Sequence, residues 1–118
     1  MLEQVIPKTR IEIIDFIVNH FETNPRSINE DGDSFYNGPN GEHCAFAILC
    51  ENPEELPEGF IRFGIARIKP EFDGQSKEFY SGIQLLHDRD YYWKKTPEGN
   101  KLTQEGINEV KKMKKRYK

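Results

Sequence analysis

The stretch Ser76-Lys77-Glu78-Phe79-Tyr80-Ser81-Gly82-Ile83-Gln84-Leu85-Leu86-His87-Asp88-Arg89-Asp90 decides how this chain is read. Phe79, Ile83 and Leu86 recur at helical spacing, which predicts a helix from about Ser76 to Asp90 with one apolar face toward a core. Tyr80, Gln84, His87 and Tyr91 fall at i, i+4, i+7 and i+11 and line one edge beside that face. Such a stripe suits stacking on, and hydrogen bonding to, a flat ligand such as a nucleobase. The plainer reading makes them boundary residues with apolar bodies and wet tips. A third role for Gln84 and His87 is to hold the turn at Asn37–Gly41.

Working outward, two further helices are expected. Thr9-Arg10-Ile11-Glu12 has the form of a capping box, in which hydroxyl and carboxylate each satisfy an orphan amide. Pro7 bars an earlier start and Asn24-Pro25 ends the helix. Ile11, Ile14, Ile17, Val18 and Phe21 supply its apolar face, with Phe16 on the polar side. The last helix is expected to start at Thr103 and to carry Ile107, Val110, Met113 and Tyr117 inward, with Leu102 and Ile107 in staple positions around the cap. Between these lie turn-rich residues 29–43, with a short strand at Ser34-Phe35-Tyr36 and two Asn-Gly reversals in Asn37–Gly41. Next come the almost wholly apolar run His43–Cys50, leaning to helix, and an alternating strand from Phe60 to Ile68. Thr96-Pro97-Glu98-Gly99-Asn100 reads as a turn. The fold class that follows is α+β: three helices packed on a small antiparallel sheet in a single compact domain over residues 1–118, ending in a basic helical tail at about 103–118.

Composition bounds the function. At 118 residues the chain has room for one domain. Its 14 aromatic residues (8 Phe, 5 Tyr, 1 Trp) argue against disorder. No apolar run approaches the roughly 20 residues of a membrane helix. Met1 to Lys8 lacks a basic start followed by an apolar core, so the expected setting is the cytoplasm, a host's cytoplasm if the source is a phage. Charge is uneven: residues 1–93 carry 8 basic against 17 acidic side chains, a net of −9, and residues 94–118 carry 9 against 3, a net of +6. Lys111, Lys112, Lys114, Lys115 and Arg116 could meet a polyanion, although cations at a helix C-terminus also simply complement its dipole.

The side chains able to do chemistry are few. Cys44 at a helix start, with His87 as base and Asp88 or Asp90 as orienting acid, would make a cysteine-dependent hydrolase or transferase. On a helix Asp88 lies about 100° around the axis from His87, so Asp90 at i+3 is the better-placed acid. The commoner state of a free cysteine is a small buried hydrophobe, and that reading is preferred for Cys44. Cys44 and Cys50 are expected to be reduced. His43, Cys44, Cys50 and His87 do not have the paired spacing of structural zinc, Asp31-Gly32-Asp33 lacks the ligand spacing of an EF-hand, and no phosphate-cradling Gly-rich loop is present. No metal or cofactor is expected.

Two segments together resemble a family. Gly41-Glu42-His43-Cys44-Ala45-Phe46-Ala47-Ile48-Leu49 is similar to a G-x-x-C-A-x-G-x-L pattern, and Gln84-Leu85-Leu86-His87-Asp88 followed by Trp93 to a Q-x-x-H-D…W pattern. Both occur, in this order, in small proteins of bacteriophages, prophages and bacteria that have no assigned function. The resemblance spans roughly residues 26–93 and departs at Ala47, where the pattern usually has Gly. It implies a phage-like origin, with Cys44, Gln84, His87 and Asp88 as the recurring residues. The expected function is therefore that of a phage-type accessory protein. It would bind a host protein or a small, nucleotide-like ligand without catalysis, for example to blunt a host defence. Tyr80, Gln84, His87 and Tyr91 would be the ligand contacts, and self-association is compatible with this reading. The alternatives are the cysteine enzyme and a nucleic-acid binder acting through the basic helix.

Overall fold

A computed structural model describes residues 8–28, 43–52 and 67–117. The described chain forms three helices, α1 (Arg10–Glu22), α2 (Lys77–Asp88) and α3 (Gln104–Arg116), and an antiparallel hairpin, β1 (Trp93–Lys95) with β2 (Asn100–Leu102). The Cα radius of gyration, 14.0 Å, is close to the about 13.5 Å of a compact chain of this length. The α+β class is therefore as expected.

Each helix starts where a hydroxyl can accept an orphan amide. Thr9 Oγ1 accepts from the Glu12 amide at 3.1 Å, and Glu12 accepts from the Thr9 amide at 3.0 Å, completing the capping box. Ser76 caps α2 and Thr103 caps α3 in the same way. Asn24 closes α1 by donating to the carbonyl of His20 at 2.8 Å.

The inward face of α1 differs from the spacing-based expectation. Ile13, Ile14, Ile17 and Phe21 are fully buried, whereas Ile11 and Val18 are half-buried. The cause is a second neighbour: the turn Pro70–Phe72 lies on the side expected to be polar, and the Phe16 ring sits 4.8 Å from that of Phe72.

The run Cys44–Cys50 is wholly buried, but only Ala47–Leu49 is helical, as a single 3₁₀ turn. At Cys50 the backbone becomes extended and bridges Ile68, with Leu49 O accepting from Lys69 N and Glu51 N donating to Arg67 O, both at 2.8 Å. A longer helix would forfeit that pairing. The rest of the strand expected at Phe60–Ile68, the strand at Ser34–Tyr36 and the reversals at Asn37–Gly41 lie outside the described residues.

The turn at Thr96–Asn100 joins β1 to β2, with Lys94 opposite Lys101. Asn100 is buried and donates to the carbonyls of Phe21 and Asn24 at 2.8 and 2.9 Å, tying the hairpin to the end of α1. α3 then approaches so closely that a Cβ on Gly106 would stand 2.2 Å from the carbonyl oxygen of Tyr92. Only glycine fits there.

Candidate functional site

Helix α2 presents two parallel stripes. The inner one holds Phe79, Ile83 and Leu86 in the core together with Tyr80, Gln84 and His87, all buried. The outer one, at the same i, i+4, i+7, i+11 spacing, consists of Glu78, Gly82, Leu85 and Arg89.

On the inner side every buried polar side chain that α2 itself contributes meets a specific protein partner, while the buried Ser27 hydroxyl beside His87 has none among the described residues. The Tyr80 hydroxyl donates to Phe72 O at 2.7 Å and accepts from the Gln75 amide at 3.2 Å. Gln84 Oε1 accepts from the Phe46 amide at 3.1 Å. His87 Nε2 accepts from the Ser27 amide at 3.1 Å, which places the ring proton on Nδ1, 2.8 Å from Asp88 Oδ1. The same carboxylate oxygen accepts from Gln84 Nε2 at 2.8 Å. Arg26 folds over the C-terminal end of α2, its Nε donating to His87 O at 2.8 Å and its Nη1 to Asp90 Oδ1 at 3.0 Å. The Trp93 indole donates to Leu86 O at 2.7 Å and closes the same end.

This network brings together Gln84, His87 and Asp88 but assigns the acids differently from expectation. The helix ends at Asp88 and Arg89 is extended, so Asp90 is no longer one helical turn from His87. Asp90 instead pairs with Arg26 at the surface, and Asp88 orients the ring. Tyr91 has left the helix and points outward, so the stripe ends at His87. Cys44 is fully buried and no hydrogen bond joins it to His87, whose Nε2 already accepts from Ser27. Burial pushes the Cys44 thiol up to about 12, although the amides of Ala47 and Phe46 favour the thiolate. Burial likewise lowers the His87 pKa, opposed by Asp88. The thiolate a nucleophile requires is thus strongly disfavoured. Ser27, His87 and Asp88 are the residue types of a hydrolase triad, but the His87 nitrogen that would serve as base is bonded to the Ser27 amide, and Ser27 itself is fully buried. Among the described residues, no three His, Cys, Asp or Glu side chains gather to hold a metal ion, and no helix is long and apolar enough to cross a membrane.

On the outer side, Leu85 and Tyr91 are the exposed large apolar side chains among the described residues, 49% and 53% accessible. They border a trough between α2 and α3, with Gly82 and Met113 in its floor and Arg89, Arg116 and Tyr117 along it. On α3, Lys111, Lys112, Lys115 and Arg116 are exposed, while Lys114 pairs with Asp15 of α1 at 2.5 Å.

Arg26 and Ser27 escaped the sequence reading because they meet His87 across 60 residues or more, a pairing no local pattern encodes. The outer stripe was findable: Leu85 is a lone apolar residue well off the face of Phe79, Ile83 and Leu86.

No protein-family model, curated protein or solved structure matches this chain. The resemblance of residues 26–93 to phage and bacterial proteins accordingly rests on its two motifs.

Proposed function

We infer that this chain is a small accessory protein that acts by binding without catalysis, and that it binds through the outer side of α2 and the adjoining α3. One observation carries the reading. Along α2 the side chains suited to chemistry are engaged in holding backbone amides of distant segments, while Leu85 and Tyr91 stand exposed beside Arg89 and Arg116. Exposed apolar side chains grouped around one concavity and rimmed by charge are the usual composition of a protein-contact site. The motif resemblance implies a phage-like origin, and on that footing the proposed partner is a host protein, for example one of a host defence.

A small ligand has less support. The stripe Tyr80, Gln84, His87 that would contact it lies inside. The cysteine-enzyme reading is weakened by the buried, strongly protonated Cys44. Nucleic-acid binding retains one specific support, the exposed row Lys111, Lys112, Lys115 and Arg116, none of which has an ion-pair partner among the described residues. Its test is reversal of Lys111, Lys112 and Lys115 to Glu, because truncation there would remove the buried Met113.

The binding reading is tested by placing a photo-crosslinking amino acid at position 85 or 91 and, as a control, at the exposed Lys95, in cells that make the protein. Adducts at 85 and 91 and none at 95 are expected. No adduct at 85 and 91, or equal adducts at all three, would contradict it.

A further inference from the structure

The outer stripe of α2 runs Glu78, Gly82, Leu85, Arg89, and α3 faces it with Met113, Arg116 and Tyr117. Gly82 keeps the trough open, since it offers no side chain where its neighbours are the Tyr117 hydroxyl and the Met113 methyl. Two depressions of about 170 and 550 Å³ adjoin along Gly82, Leu85, Arg116 and Tyr117. From Lys77 to Asp88 the helix rises about 17 Å, the span of about five extended residues or about three helical turns.

Charge along this trough is lopsided. Arg10, Lys77, Arg89 and Arg116 line it against Glu78 and Glu109. Arg10 is fixed in place: its Nε donates to Gln75 at 2.8 Å and its guanidinium lies 5.4 Å from the Tyr117 ring centre and 5.7 Å from that of Phe79. Arg89 and Arg116 are exposed and, among the described residues, no carboxylate pairs with either. The apolar contacts on offer are Leu85 and Tyr91.

We propose that this trough receives an acidic amphipathic segment of a partner protein, its carboxylates on Arg89 and Arg116 and an aliphatic or aromatic side chain against Leu85 and Tyr91. The proposal rests on the binding reading above and adds the chemistry of the partner. Guanidinium groups match carboxylates bidentately, and an apolar anchor is the complement of the exposed Leu85. A phosphodiester backbone fits less well, because it would leave the exposed Leu85 and Tyr91 uncovered.

The test is selection from a ribosome-displayed library of random 12-residue peptides on the immobilised full chain. Fluorescence anisotropy of the recovered peptides follows, with a 20-nucleotide single-stranded DNA as the polyanion probe. Recovered peptides should place Asp or Glu around a Leu, Phe or Trp and weaken with added salt. Affinity should fall at least tenfold in Arg89→Glu with Arg116→Glu, and also in the milder pair Arg89→Ala with Arg116→Ala. It should fall at least fivefold in Leu85→Ser. All these residues are at the surface, and unchanged melting temperatures would show that the variants fold. Recovery of neutral or basic peptides that still depend on Leu85, or affinity indifferent to the arginines, overturns the partner's chemistry but spares the binding reading. Affinity indifferent to Leu85 and both arginines overturns both. Tighter binding of the DNA probe, or self-association that Leu85→Ser abolishes with no peptide recovered, overturns the proposal in favour of a polyanion or a second copy.

Discussion

Gln84 and Leu85 are consecutive residues of α2, yet the first is 6% accessible and the second 49%. The amide-bearing side chain is inside and the hydrocarbon one outside, the reverse of what polarity alone would assign. The difference follows from what covers each side of the helix. Inside, polarity is tolerated because each group has a partner: Gln84 holds Phe46, His87 holds Ser27, and Asp88 holds both side chains. Outside, an apolar residue with nothing on it is available for contact.

The largest effect is expected at His87. Replacing it with Ala leaves a buried amide at Ser27 without its acceptor and a void beside Phe21, whose ring centre is 4.8 Å away. A loss of about 3 kcal/mol is expected, or a melting temperature lower by roughly 10 °C. A variant as stable as the parent would show that the inner network does not hold the fold. Gln84→Leu should cost less, about 1–2 kcal/mol, because it keeps the volume but removes the acceptor for Phe46; urea unfolding reads it.

The same network gives stability a pH dependence of defined sign. Burial lowers the folded-state pKa of His87 and, half-buried, of His20. Below about pH 6.5 the unfolded chain therefore binds protons that the folded chain resists, and stability falls as the medium is acidified. On the alkaline side Cys44 and Cys50, pushed up to about 12 and about 11, stay protonated in the fold while the unfolded thiols ionise near 9. Stability should fall again above that value. Urea midpoints measured from pH 5 to 10 check both limbs, and the acid limb should flatten in His87→Gln.

Gly82→Ala acts on the outer side. The added methyl meets the Tyr117 hydroxyl at 3.5 Å and the Met113 methyl at 3.8 Å, both ordinary contacts. Helix propensity should make the variant more stable by about 0.5–1 kcal/mol while narrowing the trough and weakening peptide binding. Smallest of all, Leu85→Ser and Tyr91→Ser should change stability by no more than about 0.5 kcal/mol.

What the sequence could and could not reveal follows from the range of each signal. Helix starts at Thr9 and Thr103 and the turn at Thr96–Asn100 were legible because their causes are local: a hydroxyl, a carboxylate three residues on, a Pro and a Gly. Helical spacing also grouped Tyr80, Gln84 and His87 correctly on one edge. Spacing fixes which residues share a face but not what covers it, so the same pattern fitted a ligand surface and an interior seam equally. The covering segments are Arg26–Ser27 and Phe46, contributed from 38 to 61 residues away. The same blindness put Phe16 on a polar side that Phe72 in fact covers. The exchange of roles between Asp88 and Asp90 depended on where α2 stops, at Asp88 and not two residues later.

In the proposed reading the inner residues maintain the fold and do no chemistry. The most direct measurement is the rate at which iodoacetamide labels Cys44 in the native full chain at pH 7.5, with the adduct located by mass spectrometry. Labelling no faster than global unfolding, rising steeply in urea and indifferent to His87→Gln below the unfolding midpoint, is the predicted result. Rapid native labelling of Cys44 that His87→Gln suppresses would contradict it.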